Sequence, residues 1–91
     1  MATLLNVDGS RQIVHPASPP HFTLDELQKL VGGYIELVSL EDGKMLVINE
    51  DGKFIDMEYN EQATQRAQGH LFLGDYIVGP AVEVSEQEME K

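Results

Sequence analysis

The side chains best able to do chemistry in this 91-residue chain are three histidines, several paired acids and a short Asn-x-Asp-Gly run. His15 and His21 stand six positions apart across a proline-rich stretch, which is not the i, i+4 spacing by which one helix offers two imidazoles to a metal. With His70 remote from both, all three read as surface histidines. Asn49, Asp51, Gly52 and Glu58 match the second and third ligand positions, the glycine and the closing glutamate of a calcium loop. Val47 falls at the first ligand position and has no side-chain oxygen, so turn chemistry accounts for the run better. Gly32-Gly33 ahead of Tyr34 can form a backbone nest for phosphate, but they follow a helix, and anions collect at the opposite, positive end. That end carries Asp25 and Glu26 in one predicted helix and Glu61 in the other, both repelling phosphate.

Covalent catalysis finds no support. Cysteine is absent, and Ser10, Ser18, Ser39 and Ser85 lack the neighbours of an activated nucleophile. Glu41-Asp42 and Glu50-Asp51 sit on predicted turns, where carboxylates are solvated and make poor general acids or bases. The expectation is a non-enzymatic protein with neither cofactor nor metal. Its candidate binding residues are Gly33, Tyr34, Asn49, Asp51, Asn60 and Arg66. Tyr34, Tyr59, Tyr76, Phe54, Phe72 and Arg66 are of the aromatic and arginine types favoured at interface centres. Phe54 and Phe72 are assigned to the core, and Arg66 to an ion pair with an acid such as Asp75 or to an anionic ligand.

The elements that position these residues follow from local signals. Asp8-Gly9, Asp42-Gly43 and Asp51-Gly52 are hairpin turns, because both residue types tolerate the positive φ of tight turns. They pair Leu4, Leu5 and Val7 with Gln12 to Val14, Tyr34 to Leu40 with Lys44 to Asn49, and that strand in turn with Lys53 to Met57. Residues 15–20, HPASPP, form a stiff linker that neither helix nor central strand can cross. Thr23 and Glu26 make a capping box, Phe22 staples onto Leu27, Leu24, Leu27, Leu30 and Val31 form one stripe, and Gly32 stops the helix over 23–31. A second helix runs from Glu61 to Gln68, capped by Asn60 and stopped by Gly69, with only Ala63, Thr64 and Ala67 to bury. Leu71-Phe72-Leu73 lacks polar alternation and reads as buried on both faces, and Tyr76 to Val84 as a last strand that Pro80 places at an edge or bulge. The predicted fold is one α+β domain over residues 1–84, with a mainly antiparallel sheet of five or six strands, helices on one face, and order ββ-α-ββ(β)-α-β. Residues 85–91 form a polar tail expected to fray.

Sixteen acidic and six basic side chains give a formal charge of −10. The charge is −2 over residues 1–40 and −4 in each of the stretches 41–60 and 61–91. So acidic a surface works against binding duplex nucleic acid, whose affinity comes from cations neutralising phosphates, and steers basic partners toward the later half. No run approaches the roughly 18 apolar residues of a membrane span, and the N-terminus lacks the basic region of a signal peptide. A soluble, cytoplasmic protein is expected.

The stretch from Phe22 to Thr64 resembles a family catalogued as domain of unknown function 3846, found in phages, plasmids and bacterial mobile regions. The likeness is carried by Phe22 to Glu36 (FTLDELQKLVGGYIE), Asn49 to Lys53 (NEDGK), Asn60 to Thr64 (NEQAT) and the closing Ile77 to Gly79 (IVG). Residues 53–59 depart from it, since a glycine- and proline-containing loop is common there and FIDMEY reads as a strand. The resemblance implies a small phage-type setting in which proteins of this size inhibit a host defence protein stoichiometrically. An oligomeric sponge for a signalling nucleotide, with Arg66, Lys44 or Lys53 on its phosphates, and a ligand-free regulatory module are the alternatives.

Overall fold

Residues 2–89 are described by a computed structural model. Within them the chain runs β1 (Ala2–Leu5), β2 (Arg11–Val14), α1 (Leu24–Val31), β3 (Ile35–Ser39), β4 (Lys44–Asn49), α2 (Glu61–Arg66) and β5 (Ala81–Ser85), closing in a short 3-10 turn (Glu86–Glu88). The fold is α+β: a five-stranded antiparallel sheet in the order β2-β1-β5-β4-β3, with two helices.

The turn chemistry read from the sequence operates at two of the three Asp-Gly sites. Asp42 and Gly43 both take positive φ, 58° and 72°; the Lys44 N–H donates to the Glu41 carbonyl (3.2 Å) and the Leu40 N–H to the Lys44 carbonyl (2.8 Å), so three residues, Glu41 to Gly43, close the hairpin. This sets the β3–β4 register at Val38 opposite Leu46. The first hairpin forms as well, with Leu4 opposite Gln12, although β1 begins at Ala2 and leaves Val7 in the turn. At Asp51-Gly52 the expected third hairpin does not form. Asn49 ends β4 by accepting the Asp51 N–H on its side-chain oxygen (2.8 Å), and the Phe54 and Ile55 N–H groups then both donate to the Asp51 carbonyl (2.9 and 3.1 Å). The chain coils instead of extending, and residues 53–57 are loop. The second neighbour of β4 is β5, with Val47 opposite Val82.

The helices lie on opposite faces of the sheet, not on one. α1 is built as its sequence dictates: the Thr23 hydroxyl accepts the Glu26 N–H (3.1 Å), the Glu26 carboxylate accepts the Thr23 N–H (2.9 Å), and Gly32 ends the helix at φ 85°. It packs Phe22, Leu27 and Val31 over Ala2, Leu4, Val47, Val82 and Val84. Alternate residues of the same strands point the other way, where Leu5, Val38, Leu46 and Ala81 meet Ala63 of α2 and Ala67 just after it, together with Ile77. α2 is shorter than expected, ending at Arg66.

Three further expectations are corrected. β5 is a central strand and begins after Pro80, because a residue without an N–H is tolerated just ahead of the ladder but not inside it. Leu71-Phe72-Leu73 is not buried on both faces: Leu71 is half-buried, while Phe72 and Leu73 stand in solvent on a loop. The C-terminal segment is docked as far as Met89. The Glu88 side chain is buried and accepts the Ser85 N–H and hydroxyl (2.9 and 3.1 Å), and the Phe22 N–H donates to the Glu88 carbonyl (2.8 Å). Glu90 and Lys91, the rest of the expected tail, lie outside the described residues, as does Met1.

Candidate functional site

On the α2 side of the sheet two loops, residues 50–59 and 67–80, do what a longer helix would otherwise do, and the exposed chemistry of the molecule gathers on them. The first loop is fixed at its root by Asn49. Besides its turn bond, its side-chain amide donates to the Val31 carbonyl at the end of α1 (3.1 Å), tying helix to strand. Gly33 packs against that amide so closely that a Cβ would lie 3.0 Å from it. Met57 N–H then donates to the Gly52 carbonyl (3.0 Å), and a Cβ on Gly52 would lie 2.8 Å from Val78. The first loop is therefore pressed onto the second.

Asn60 joins the two loops to the sheet. It is fully buried and donates from its side chain to the Leu5 and Gly79 carbonyls (3.0 and 2.8 Å), while its side-chain oxygen caps α2 at the Ala63 N–H (3.0 Å). Its own N–H donates to the Ile77 carbonyl (2.9 Å), the Gly79 N–H to Glu58 (2.7 Å), and the Ile77 N–H to the Thr64 hydroxyl (2.9 Å).

On this frame stand aromatic rings turned outward. Phe54 is 88% exposed and Phe72 89%, with Leu73 fully exposed and Tyr59 and Tyr76 about half so. Both phenylalanines are thus corrected from core to surface, because the coiled loop after Asp51 turns Phe54 away from the sheet and the tight turn closed by Asp75 N–H on Phe72 O (2.9 Å) carries Phe72 outward. Phe54 and Tyr76 line a small cleft of about 120 Å³ against Val38 and Ile48 of the sheet. Tyr59, Phe72 and Leu73 line a wider, open one of about 590 Å³. Leu71 and Asp75 belong to both, and the Tyr59 and Tyr76 rings, centroids 6.0 Å apart, connect them. Lys53 pairs with Asp75 and sits 4.3 Å from the Tyr76 ring centroid. The Lys53 ammonium, helped by the Tyr76 N–H, holds the Asp75 carboxyl below its usual range.

The six residues proposed from sequence are not one site. Gly33, Asn49 and Asp51 meet where α1 ends and β4 stops, and Tyr34 beside them is exposed, its carbonyl accepting the Glu50 N–H (2.9 Å). Asn60 is buried under α2. Arg66 lies at the far end of that helix, and its partner is not Asp75, which Lys53 engages. Arg66 reaches across to Glu83 on β5 (2.6 Å) and to Glu41 at the β3–β4 turn (3.0 Å), with Lys44 a further 3.9 Å from Glu83. These carboxylates, Glu83 foremost, raise the guanidinium pKa still further, and the Arg66 hydrogen bond holds Glu41 below the usual glutamate range.

Residues 3–91 match the family described as Domain of unknown function (DUF3846). The chain belongs to this family. No curated protein and no solved structure matches it. The motifs by which the chain resembles other DUF3846 proteins are now intelligible as framework. Gly32 and Gly33 end α1 against Asn49, Gly52 admits Val78, Asn60, Ala63 and Thr64 bind the loops to α2, and Ile77 and Gly79 lie beneath. In this DUF3846 domain the outward rings fall between or beside those framework positions. No three His, Asp or Glu side chains among the described residues are grouped to hold a metal ion, and no helix is long and apolar enough to cross a membrane. Tyr59 and Tyr76 were legible as interface types, whereas the exposure of Phe54 and Phe72 was not, because an apolar run and a surface ring look alike in composition. The usable signal was the glycine spacing, Gly69 and Gly74 bracketing Leu71-Phe72-Leu73, which marks a loop and not a strand.

Proposed function

We propose that this DUF3846 protein is a non-enzymatic binding protein that acts by occupying a surface of another protein, with the aromatic loop face as its contact. The single observation that carries this is the connected set Phe54, Tyr76, Tyr59, Phe72 and Leu73, left in solvent side by side along two adjoining clefts. Burying a ring of this size is worth about 1.5–3 kcal/mol, so several rings exposed side by side represent interaction energy available to a partner. The acidic setting selects which partner. Glu36, Glu50 and Asp75 border the smaller cleft, and the −10 total favours a surface with an apolar centre and a basic rim. The likeness to small phage and mobile-element proteins supplies the biological setting: stoichiometric inhibition of a host protein in the host cytoplasm.

Sequestration of a nucleotide draws less support. Among the described cations, Lys29, Lys44, Lys53 and Arg66 each have a carboxylate within 4 Å, and a phosphate would have to displace it. The test is quantitative capture from host lysate on the immobilised chain, repeated with Phe54→Asp/Phe72→Asp. A partner held in fixed proportion by the wild type, lost from the double variant and weakened by salt, is the expected result. Equal capture by both proteins, or turnover of a metabolite by the purified chain, overturns the proposal.

A further inference from the structure

The sheet has two edges, β2 and β3, and they are protected unequally. β2 is four residues long, runs directly into the proline linker, and its Arg11 side chain is turned back to Gln62 (3.0 Å). Short length and adjoining prolines are the usual devices that keep a strand edge from pairing with other chains. β3, five residues long, adjoins no proline, and its one charged side chain is Glu36. Ile35–Ser39 has no Lys, Pro or Gly, and beyond its ladder with β4 it makes no hydrogen bond among the described residues. Leu37, at its centre, is 47% exposed. Alternate side chains of β3 point to the face bearing the small cleft, where Glu36 and Val38 line the same opening as Phe54 and Tyr76.

We infer that the outer edge of β3 accepts an extended segment of a basic partner protein as a sixth strand, an inference that rests on the binding role proposed above and specifies its geometry. An added strand gains affinity from backbone hydrogen bonds and specificity from every second side chain. Here those side chains would point toward the Val38–Phe54–Tyr76 opening on one face and over Leu37 on the other. Charge selects the occupant. Glu36 and Glu50 at the opening and Asp42 beyond the end of β3 form no ion pair among the described residues, so a strand alternating Lys or Arg with apolar residues complements the edge. A second copy of this chain would bring a further −10 against the same acids.

The probe is a synthetic peptide of alternating Lys and Val, added to the isotopically labelled full chain while amide hydrogen exchange is followed residue by residue. At low ionic strength the unpaired amides within Ile35–Ser39 should slow about tenfold, and the effect should fade with salt. A Glu–Val peptide, and the Lys–Val peptide interrupted by proline, should leave them unchanged. Leu37→Lys, an exposed position whose substitution spares the core, should remove the protection while the circular dichroism stays that of the wild type. Protection absent from β3, protection at Arg11–Val14 instead, protection that grows with protein concentration without peptide, or full protection in Leu37→Lys would each overturn the inference. Lysate capture that depends on Phe54 and Phe72 while β3 stays unprotected leaves the binding role standing and removes the edge. Protection of β3 with no lysate partner does the reverse.

Discussion

The two faces of the sheet are stabilised by different physics. Beneath α1 the contact is mainly apolar: Phe22, Leu27 and Val31 lie over Val47, Val82 and Val84, with Asn49 tying the end of the helix to β4. Beneath α2 the helix contributes one alanine and its C-cap a second, and the remaining surface is held by Asn60, by the Arg66–Glu83–Glu41 bridge and by two coiled loops. Area does the work on the first face. On the second, close approach and satisfied polar groups take its place, since alanine buries little and a six-residue helix has small stability of its own. The lesson is a division of labour. A short, small-residue helix leaves sheet uncovered, the loops that cover it carry rings on their outer side, and the side of the molecule with the weaker core becomes the side that exposes them.

The hardest blow to this picture should come from Phe22→Ala. Truncating a fully buried ring costs about 3–5 kcal/mol, a large share of the roughly 5–15 kcal/mol that holds a domain together. Ala63→Gly, on the other face, should cost only about 1–2 kcal/mol. Urea unfolding midpoints compare the two directly, and equal losses would mean that the α1 face does not dominate stability.

Next in size is Asn60→Ala, which leaves the Leu5 and Gly79 carbonyls without their side-chain donor and the Ala63 N–H uncapped. The expected loss is about 2–4 kcal/mol, from a burial that changes few apolar contacts. Asn60→Asp sharpens the reading: it keeps the cap acceptor yet sets a carboxylate against two carbonyl oxygens, and it should be as damaging as alanine in the same unfolding series.

Smaller again is Arg66→Met, at about 1 kcal/mol for a partly exposed bridge with Glu83. Its pH dependence is the more telling measurement. Because Arg66 depresses the Glu41 pKa below its ordinary 4.5, that carboxylate adds stability above 4.5 and loses it as pH falls through the depressed value. The gap between wild type and variant should therefore be constant at neutral pH, narrow below 4.5, and shrink in high salt. A gap that widens in acid would contradict the bridge.

How much of this could be read beforehand follows the range of each interaction. The Thr23–Glu26 box, the Gly32 stop, the Asn60 cap and the Asp42-Gly43 turn are settled within a few residues, and all were legible. The second neighbour of β4 was not. Lys53 to Met57 stood next in sequence, whereas β5 had to arrive from more than thirty positions away, and the Asn49 side-chain turn with the coil that follows it occupies the place of the local hairpin. Arg66 was picked out correctly as a cation needing a partner, but choosing Glu83 over Asp75 required knowing which face of the sheet α2 covers. Asn49 and Asn60 were singled out as binding residues for their polarity. Buried, with every side-chain polar atom occupied, the same polarity serves the frame.

The smallest change in stability should come from the largest exposed rings. Phe54→Ser and Phe72→Ser remove surface that the folded chain already leaves in water, so each should shift the unfolding midpoint by no more than about 0.5 kcal/mol. A serine at position 72 has no packing to disturb, and at position 54 the coil is held by backbone bonds to Asp51 that the substitution leaves intact. Against that near-silence in folding, lysate capture should fall with each variant, more with both together. The contrast with Phe22 is the point: the same residue type, buried on one face and exposed on the other, should trade a large stability effect for a large binding effect. A midpoint shift from Phe54→Ser as large as that of Arg66→Met would show the ring to be packed in solution, and the loop face would then be core and not contact.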